Sequence, residues 1–92
     1  MIDKNKLKKM ITEILKFDED QFIQITTEEG THTYEVQKEQ NNFLMLWCVD
    51  QTDIPIVWGD AYMNYMHIIY SLMQDCTSGI ISDVKVTERY QN

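Results

Sequence analysis

The sequence predicts a two-layer α+β fold, in which two helices cover one face of a mostly antiparallel sheet in the order α-β-β-β-α-β. Two stretches repeat apolar residues every three to four positions, as helices do, and the segments between and after them alternate as strands do. The length of 92 residues corresponds to one domain. We therefore expect a single globular domain over residues 1–92.

The first helix is predicted over residues 4–17, with Asp3 as its N-cap. Its apolar face consists of Leu7, Met10, Ile11, Ile14 and Leu15. The acidic stretch 18–20 then ends the helix.

A β-hairpin is predicted next. Ile23 and Ile25 alternate with polar residues over 21–27, and a second alternating stretch covers 31–38. The turn signal Glu-Glu-Gly lies between the two stretches at 28–30.

The third strand is predicted over 43–49, where every residue is apolar. Such a strand is usually covered on both faces or lies centrally in its sheet. Residues 50–59 are interpreted as a loop with the only proline, in which 54–58 could add a short edge strand.

The second helix is predicted over 60–75, with Asp60 as its cap. Its main apolar stripe consists of Tyr62, Tyr65, Met66, Ile69, Leu72, Met73 and Cys76. Met63, Ile68 and Tyr70 lie outside this stripe and widen the apolar surface beyond what one sheet can cover, which indicates a homodimer face.

The last strand is predicted over 80–87. Ile80, Val84 and Val86 share one of its faces, and Gly79 before it suits the left-handed end of a helix.

Charge is unevenly distributed along the chain. Eight basic and fifteen acidic residues give a net charge of −7. Residues 1–16 contain five lysines and two acids, whereas residues 17–84 contain twelve acids and a single lysine. This is an acidic body with one basic helix, which favours basic partners and repels nucleic acid and anionic membranes. Acidity that serves only solubility is the alternative.

The sequence argues against an enzyme and against a membrane protein. It contains no glycine-rich phosphate loop, no nucleophile elbow and no paired-histidine metal motif. Its apolar runs are far shorter than the ~20 residues of a membrane span, and the lysine-rich start has no apolar segment behind it. We expect a cytoplasmic, non-enzymatic protein.

The cysteines and histidines do not predict a metal site. Cys48 and Cys76 fall in separate predicted elements, and His32 with His67 would complete four ligands only if both cysteines converged. Reduced structural thiols are the simpler interpretation, so we expect no metal and no cofactor.

The element order α-β-β-β-α is also that of the double-stranded RNA-binding module. That module binds RNA with basic side chains at the start of its second helix. This chain has no Lys or Arg between Lys38 and Lys85, so the resemblance ends at topology.

The acidic residues instead suggest charge mimicry. Duplex DNA carries one charge per ~1.7 Å of axis, so twelve carboxylates match about 20 Å of duplex. In size, charge and element order the chain is similar to small acidic phage proteins that block CRISPR nucleases or other host defence enzymes, a likeness of class that no residue motif carries.

The sequence therefore predicts a small acidic inhibitor that occupies the basic groove of a nucleic-acid enzyme and does not itself bind nucleic acid or membrane. A homodimeric structural or regulatory domain and a nuclease-toxin immunity protein are the alternatives. The predicted partner-binding residues are Asp18, Glu19, Asp20, Glu28, Glu29, Asp50, Asp53, Trp58, Asp60 and Tyr70.

Overall fold

A computed structural model describes residues 3–51 and 57–88 of the protein. In chain order, the described elements are α1 (Lys4–Lys16), β1 (Gln21–Thr27), β2 (Gly30–Lys38), β3 (Leu44–Cys48), β4 (Val57–Tyr62), α2 (Tyr65–Ser78) and β5 (Asp83–Glu88). These elements confirm the predicted α+β class and contain one strand more than the six-element order.

The described strands form one antiparallel sheet in the order β4-β3-β2-β1-β5. The first three strands follow one another as neighbours, because short turns join them. β5 instead pairs with β1, so the last strand lies beside the first. The chain between β4 and β5 has to pass from one edge of the sheet to the other, and α2 makes that crossing.

The core lies between the sheet and both helices. Ile23 and Ile25 of β1 are buried on the helix side, as their alternation predicts. From the helices, Ile14 of α1 and Leu72 of α2 join the same cluster and are fully buried. The opposite face of the sheet carries no helix among the described residues.

Helix α1 covers the edge of β5 in addition to the core. Asp3 caps it as predicted, because its carboxylate accepts a hydrogen bond of 2.9 Å from the amide of Asn5. Glu13 Oε1 accepts a hydrogen bond of 3.2 Å from the amide of Val86, a group that has no strand partner on that side. Leu15 was predicted on the apolar face, but it is exposed.

The start of α2 differs from the prediction. Residues 57–62 form β4, a strand with a register shift against β3, and Asp60 lies within it and so does not cap a helix. Gly59 has a φ of 68°, and a Cβ there would collide with the hydroxyl of Tyr62, so the irregularity requires glycine. Asn64 is the actual N-cap and accepts a hydrogen bond of 3.1 Å from the amide of His67.

Two apolar residues of α2 exchange their predicted roles. Ile68 is fully buried against the sheet, whereas Met66 is exposed. The buried face of α2 consists of Ile68, Ile69, Leu72 and Cys76, and it excludes Met66.

The approach to β5 also differs. Ile80 was predicted to share the buried face with Val84 and Val86, but it is exposed, and Ile81 is fully buried in its place. The chain turns here, since Gly79 takes a φ of 88° and the amide of Ile81 donates to the carbonyl of Asp75. β5 therefore begins only at Asp83.

Strand β3 is internal, as predicted, but it is covered on one face only. Leu46 and Cys48 are buried under the helices, whereas Met45 and Trp47 are half-buried on the opposite face. The Trp47 indole donates a hydrogen bond of 3.0 Å to Glu39, which satisfies its polar group at the sheet surface.

The Leu46→Ala variant should lose about 2–5 kcal/mol of unfolding free energy, because Leu46 is fully buried and its removal leaves a cavity. Urea denaturation followed by circular dichroism measures this loss. Leu15→Ala is the matched control at an exposed leucine and should change the value by no more than about 0.5 kcal/mol. Equal effects of the two variants would contradict the placement of β3.

Candidate functional site

The two acidic clusters predicted to bind a partner lie at opposite ends of the sheet. Residues 18–20 directly precede β1, and Glu28 with Glu29 directly follows it. All five side chains are exposed. Because β1 has seven residues at ~3.3 Å each, about 23 Å separates the clusters. A small site on a partner can therefore contact one cluster at a time.

The end that carries Glu28 and Glu29 has a surface groove, which we call the hairpin groove. It measures about 630 Å³ and is lined by Thr27, Glu28, Glu29, Trp58, Ser78, Gly79, Ile80 and Ser82. None of these described lining residues is basic. Ile80 is 55 % exposed there and adds an apolar contact beside the two carboxylates.

Further acidic residues lie at the same end of the sheet. Asp83 pairs with Thr26 at the end of β1, and Asp50 follows β3, which ends there as well. Asp75 Oδ2 accepts a hydrogen bond of 3.2 Å from the indole of Trp58, one of the groove residues. The hairpin end therefore has more acidic residues, and one of them, Asp83, also lines a groove that contains lysines of α1.

The opposite end mixes charges. A second groove of about 630 Å³ contains Glu19 and Asp20, but Lys38 also lines it. Asp18 accepts a hydrogen bond of 2.7 Å from the amide of Glu19 and so helps to form the turn into β1. This cluster therefore has a local structural role and a neighbouring cation.

The lysines of α1 lie along a third groove, of about 1010 Å³, between that helix and the start of β5. The basic residues in its lining are Lys6, Lys8, Lys9, Lys16 and Lys85. Glu13 lies among them and pairs with Lys16 at 3.1 Å, and this contact together with the hydrogen bond from Val86 lowers the pKa of Glu13. The basic surface is thus one long side of α1, and Glu13 places a negative charge within it.

The two aromatic residues predicted as partner anchors have different environments. Trp58 is half-buried, packs edge-on against Tyr34 at 5.8 Å between ring centroids, and donates to Asp75. Trp58 of β4 pairs with Leu46 of β3, so its side chain lies on the helix side of the sheet. It is therefore mainly a structural residue, although one side of it lines the hairpin groove. Tyr70 is 63 % exposed, as an anchor would be.

Two of the predicted acidic residues are not placed by the structure. Asp53 lies outside the described residues. The backbone of Asp60 is described as part of β4, but its side chain is not.

Asp50 belongs to a cluster that the sequence did not predict. Its Oδ1 atom accepts a hydrogen bond of 3.0 Å from the Cys48 thiol and lies 3.3 Å from His32 Nδ1. Its Oδ2 atom accepts a hydrogen bond of 2.9 Å from the amide of Thr33. Cys48 is buried, whereas the side chains of His32 and Asp50 are 23 % and 40 % exposed, so the cluster opens to solvent.

The register of β2 against β3 produces this cluster. Tyr34 pairs with Cys48, and continuing the same register by two residues puts His32 opposite Asp50. The hydrogen bond of 2.8 Å from the amide of Val49 to the carbonyl of Thr33 continues the ladder to that point. The sequence predicted both strands but not their register. Knowledge of that register would have revealed the cluster.

The cluster does not resemble an activated cysteine nucleophile. Burial of the Cys48 thiol and its hydrogen bond to Asp50 raise its pKa, whereas a nucleophile needs a lowered one. For Asp50, partial burial acts to raise the pKa, but the hydrogen bonds from Cys48, Thr33 and His32 outweigh it and lower the pKa. A soft thiol, an imidazole and an ionised carboxylate at these distances are instead the donor set of a transition-metal ion.

No protein-family model, curated protein or solved structure matched the chain in our comparisons. No helix within residues 3–51 and 57–88 combines the length and the apolarity needed to cross a bilayer.

The second cysteine, Cys76, predicts how stability depends on alkaline pH. Burial in α2 raises the pKa of its thiol from 9.0 to about 11, so the folded state retains a proton that the unfolded state loses. The unfolding free energy should be unaffected by this group below about pH 9 and should fall as the pH rises from 9 to 11. Burial also raises the pKa of Tyr34 to about 12 and that of Tyr65, which extends the fall to higher pH.

Chemical denaturation of the wild type and of Cys76→Ala at several pH values measures this dependence. The variant should show a shallower fall between pH 9 and 11. A wild-type stability that stayed constant or rose over that interval would disprove the burial of this thiol.

Proposed function

We propose that the protein is a small non-enzymatic inhibitor whose hairpin end occupies the basic groove of a nucleic-acid enzyme in place of nucleic acid. The partner is a basic protein, and the chain itself binds neither nucleic acid nor membrane. An anti-defence protein of the anti-CRISPR kind and an immunity protein against a nuclease toxin both use this chemistry.

One observation carries the proposal: the hairpin groove combines Glu28 and Glu29 with no basic residue among its described lining. Carboxylates on an exposed turn reach beyond the sheet, as phosphates reach beyond a nucleic-acid backbone. The lysines of α1 line a different groove. A partner surface rich in Lys and Arg is complementary to the hairpin end.

The dimensions are also suitable. Five described acidic residues lie at this end of the sheet: Glu28, Glu29, Asp50, Asp75 and Asp83. At one charge per ~1.7 Å they correspond to about 8 Å of duplex, and the molecule is 25–26 Å across its shorter axes.

The double variant Glu28→Lys with Glu29→Lys should weaken partner binding at least about tenfold, because it places four units of charge change in the contact. Tagged wild-type and variant proteins are used to capture the partner from a lysate of the source cells at several salt concentrations. The captured protein should be a nucleic-acid enzyme, and duplex DNA or RNA should displace the wild-type chain from it. Binding should weaken steadily as the salt concentration rises.

Glu19→Lys with Asp20→Lys is the matched control, since it changes the charge by the same amount at the other end of the sheet. It should retain binding within a few fold, and neither double variant should alter thermal stability much, because exposed charges contribute little to folding. If both variants bind as the wild type does, or if nucleic acid does not compete, the proposal is wrong. Tight binding of nucleic acid by the purified chain at physiological salt would also contradict it.

A homodimer is the second candidate, and the exposed side of α2 favours it. Met66 and Tyr70 lie four residues apart on α2 and are 66 % and 63 % exposed, and Met63, which is 68 % exposed, directly precedes the N-cap of the helix. Large apolar side chains grouped in this way usually mark a contact surface. Such an interface would leave the hairpin groove free, because that groove lies at the other end of α2.

Sedimentation velocity at micromolar concentration tests this candidate. A dimer should appear in the wild type and dissociate in Tyr70→Glu, which places a charge in the apolar contact. Asn5→Glu adds the same charge on the exposed side of α1 and should leave the dimer intact. A wild type that remains monomeric at high concentration would eliminate the homodimer.

A further inference from the structure

We propose that His32, Cys48 and Asp50 bind one transition-metal ion of the Zn²⁺ type. Its ligand atoms are His32 Nδ1, Cys48 Sγ and Asp50 Oδ1. Asp50 is also one of the acidic residues of the hairpin end, but metal binding at this cluster does not require the partner proposed above.

The geometry of the three atoms is close to that of a metal centre. They all lie within 4.8 Å of one another, with 3.0 Å between Sγ and Oδ1 and 3.3 Å between Nδ1 and Oδ1. In a tetrahedral zinc site with bonds of about 2.0–2.3 Å, neighbouring ligand atoms are about 3.3–3.8 Å apart. Small side-chain rotations therefore suffice to open space for an ion between them.

The backbone of the sheet positions the ligands Cys48 and Asp50 and the Thr33 amide that orients Asp50. The amide of Thr33 donates to Asp50 Oδ2 and leaves Oδ1 directed at His32 and Cys48. Metal-binding carboxylates are commonly oriented by such a hydrogen bond from outside the ligand set. Because Thr33 and Cys48 belong to paired strands, the site is fixed by the sheet.

The donor set selects the class of metal. Thiolate and imidazole ligands favour Zn²⁺ and related ions over Mg²⁺ and Ca²⁺, which prefer oxygen. On binding, the Cys48 S–H proton is released to solvent and the sulfur forms a bond to the metal. Three protein ligands leave a fourth position for water, on the side where His32 and Asp50 are open to solvent.

Co²⁺ is the spectroscopic probe and Zn²⁺ the affinity probe, both used with the tag-free wild-type protein under reducing conditions. Co²⁺ should give a thiolate-to-metal charge-transfer band that saturates at one equivalent and is displaced by Zn²⁺. Cys48→Ser should lose the band and should weaken Zn²⁺ binding in calorimetry by at least about 100-fold, since it removes a direct ligand.

The chain provides a matched control for each ligand type. Cys76→Ser changes the other free cysteine, and His67→Gln changes an exposed histidine outside the cluster. Both should retain the band and the affinity, whereas His32→Gln should keep a weaker band and lose affinity. His32→Gln also decides the question if Cys48→Ser does not fold.

Three results would overturn the proposal. These are no charge-transfer band at one equivalent of Co²⁺, loss of the band in Cys76→Ser but not in Cys48→Ser, and equal Zn²⁺ affinity in wild type and His32→Gln.

Discussion

The pairing of β1 with β5 is the constraint on which the rest of the structure depends. It gives β1 a neighbour on each side and makes Ile23 and Ile25 the centre of the core. It also requires the chain to cross the whole sheet after β4, and α2 provides that crossing on the face that α1 shares. Both helices therefore cover one face, and the grooves and acidic turns lie around its ends.

Local patterns predicted most of this architecture because each element leaves its own period in the sequence. The bounds of α1 and β1 follow from apolar spacing and from Asp3, which forms the expected cap. The region 57–64 was misinterpreted, since a bulged strand with Gly59 has no regular alternation and Asp60 resembles a cap. Asn64 caps the helix instead, and only the packing of Ile68 against the sheet decides between the two.

The candidate sites show where sequence reasoning reaches its limit. Counting acids along the chain identified an acidic body, but only the sheet shows that residues 18–20 and Glu28 with Glu29 lie at opposite ends. The same is true of His32 and Asp50, which are far apart in sequence and meet only through the register of β2 against β3. Side-chain chemistry is readable from sequence, whereas its convergence depends on strand register, which the turns and the buried face of the assembled sheet fix together.

The β1–β5 pairing also affects how the chain is made. It joins residues about 60 positions apart, such as Ile23 and Val86, and contacts of that range slow folding. On the ribosome, β1 through β4 can assemble as they emerge, but one edge of β1 has no partner until β5 has left the exit tunnel. During translation the nascent chain therefore exposes an open strand edge, which is the form most prone to associate with other nascent chains and to need a chaperone.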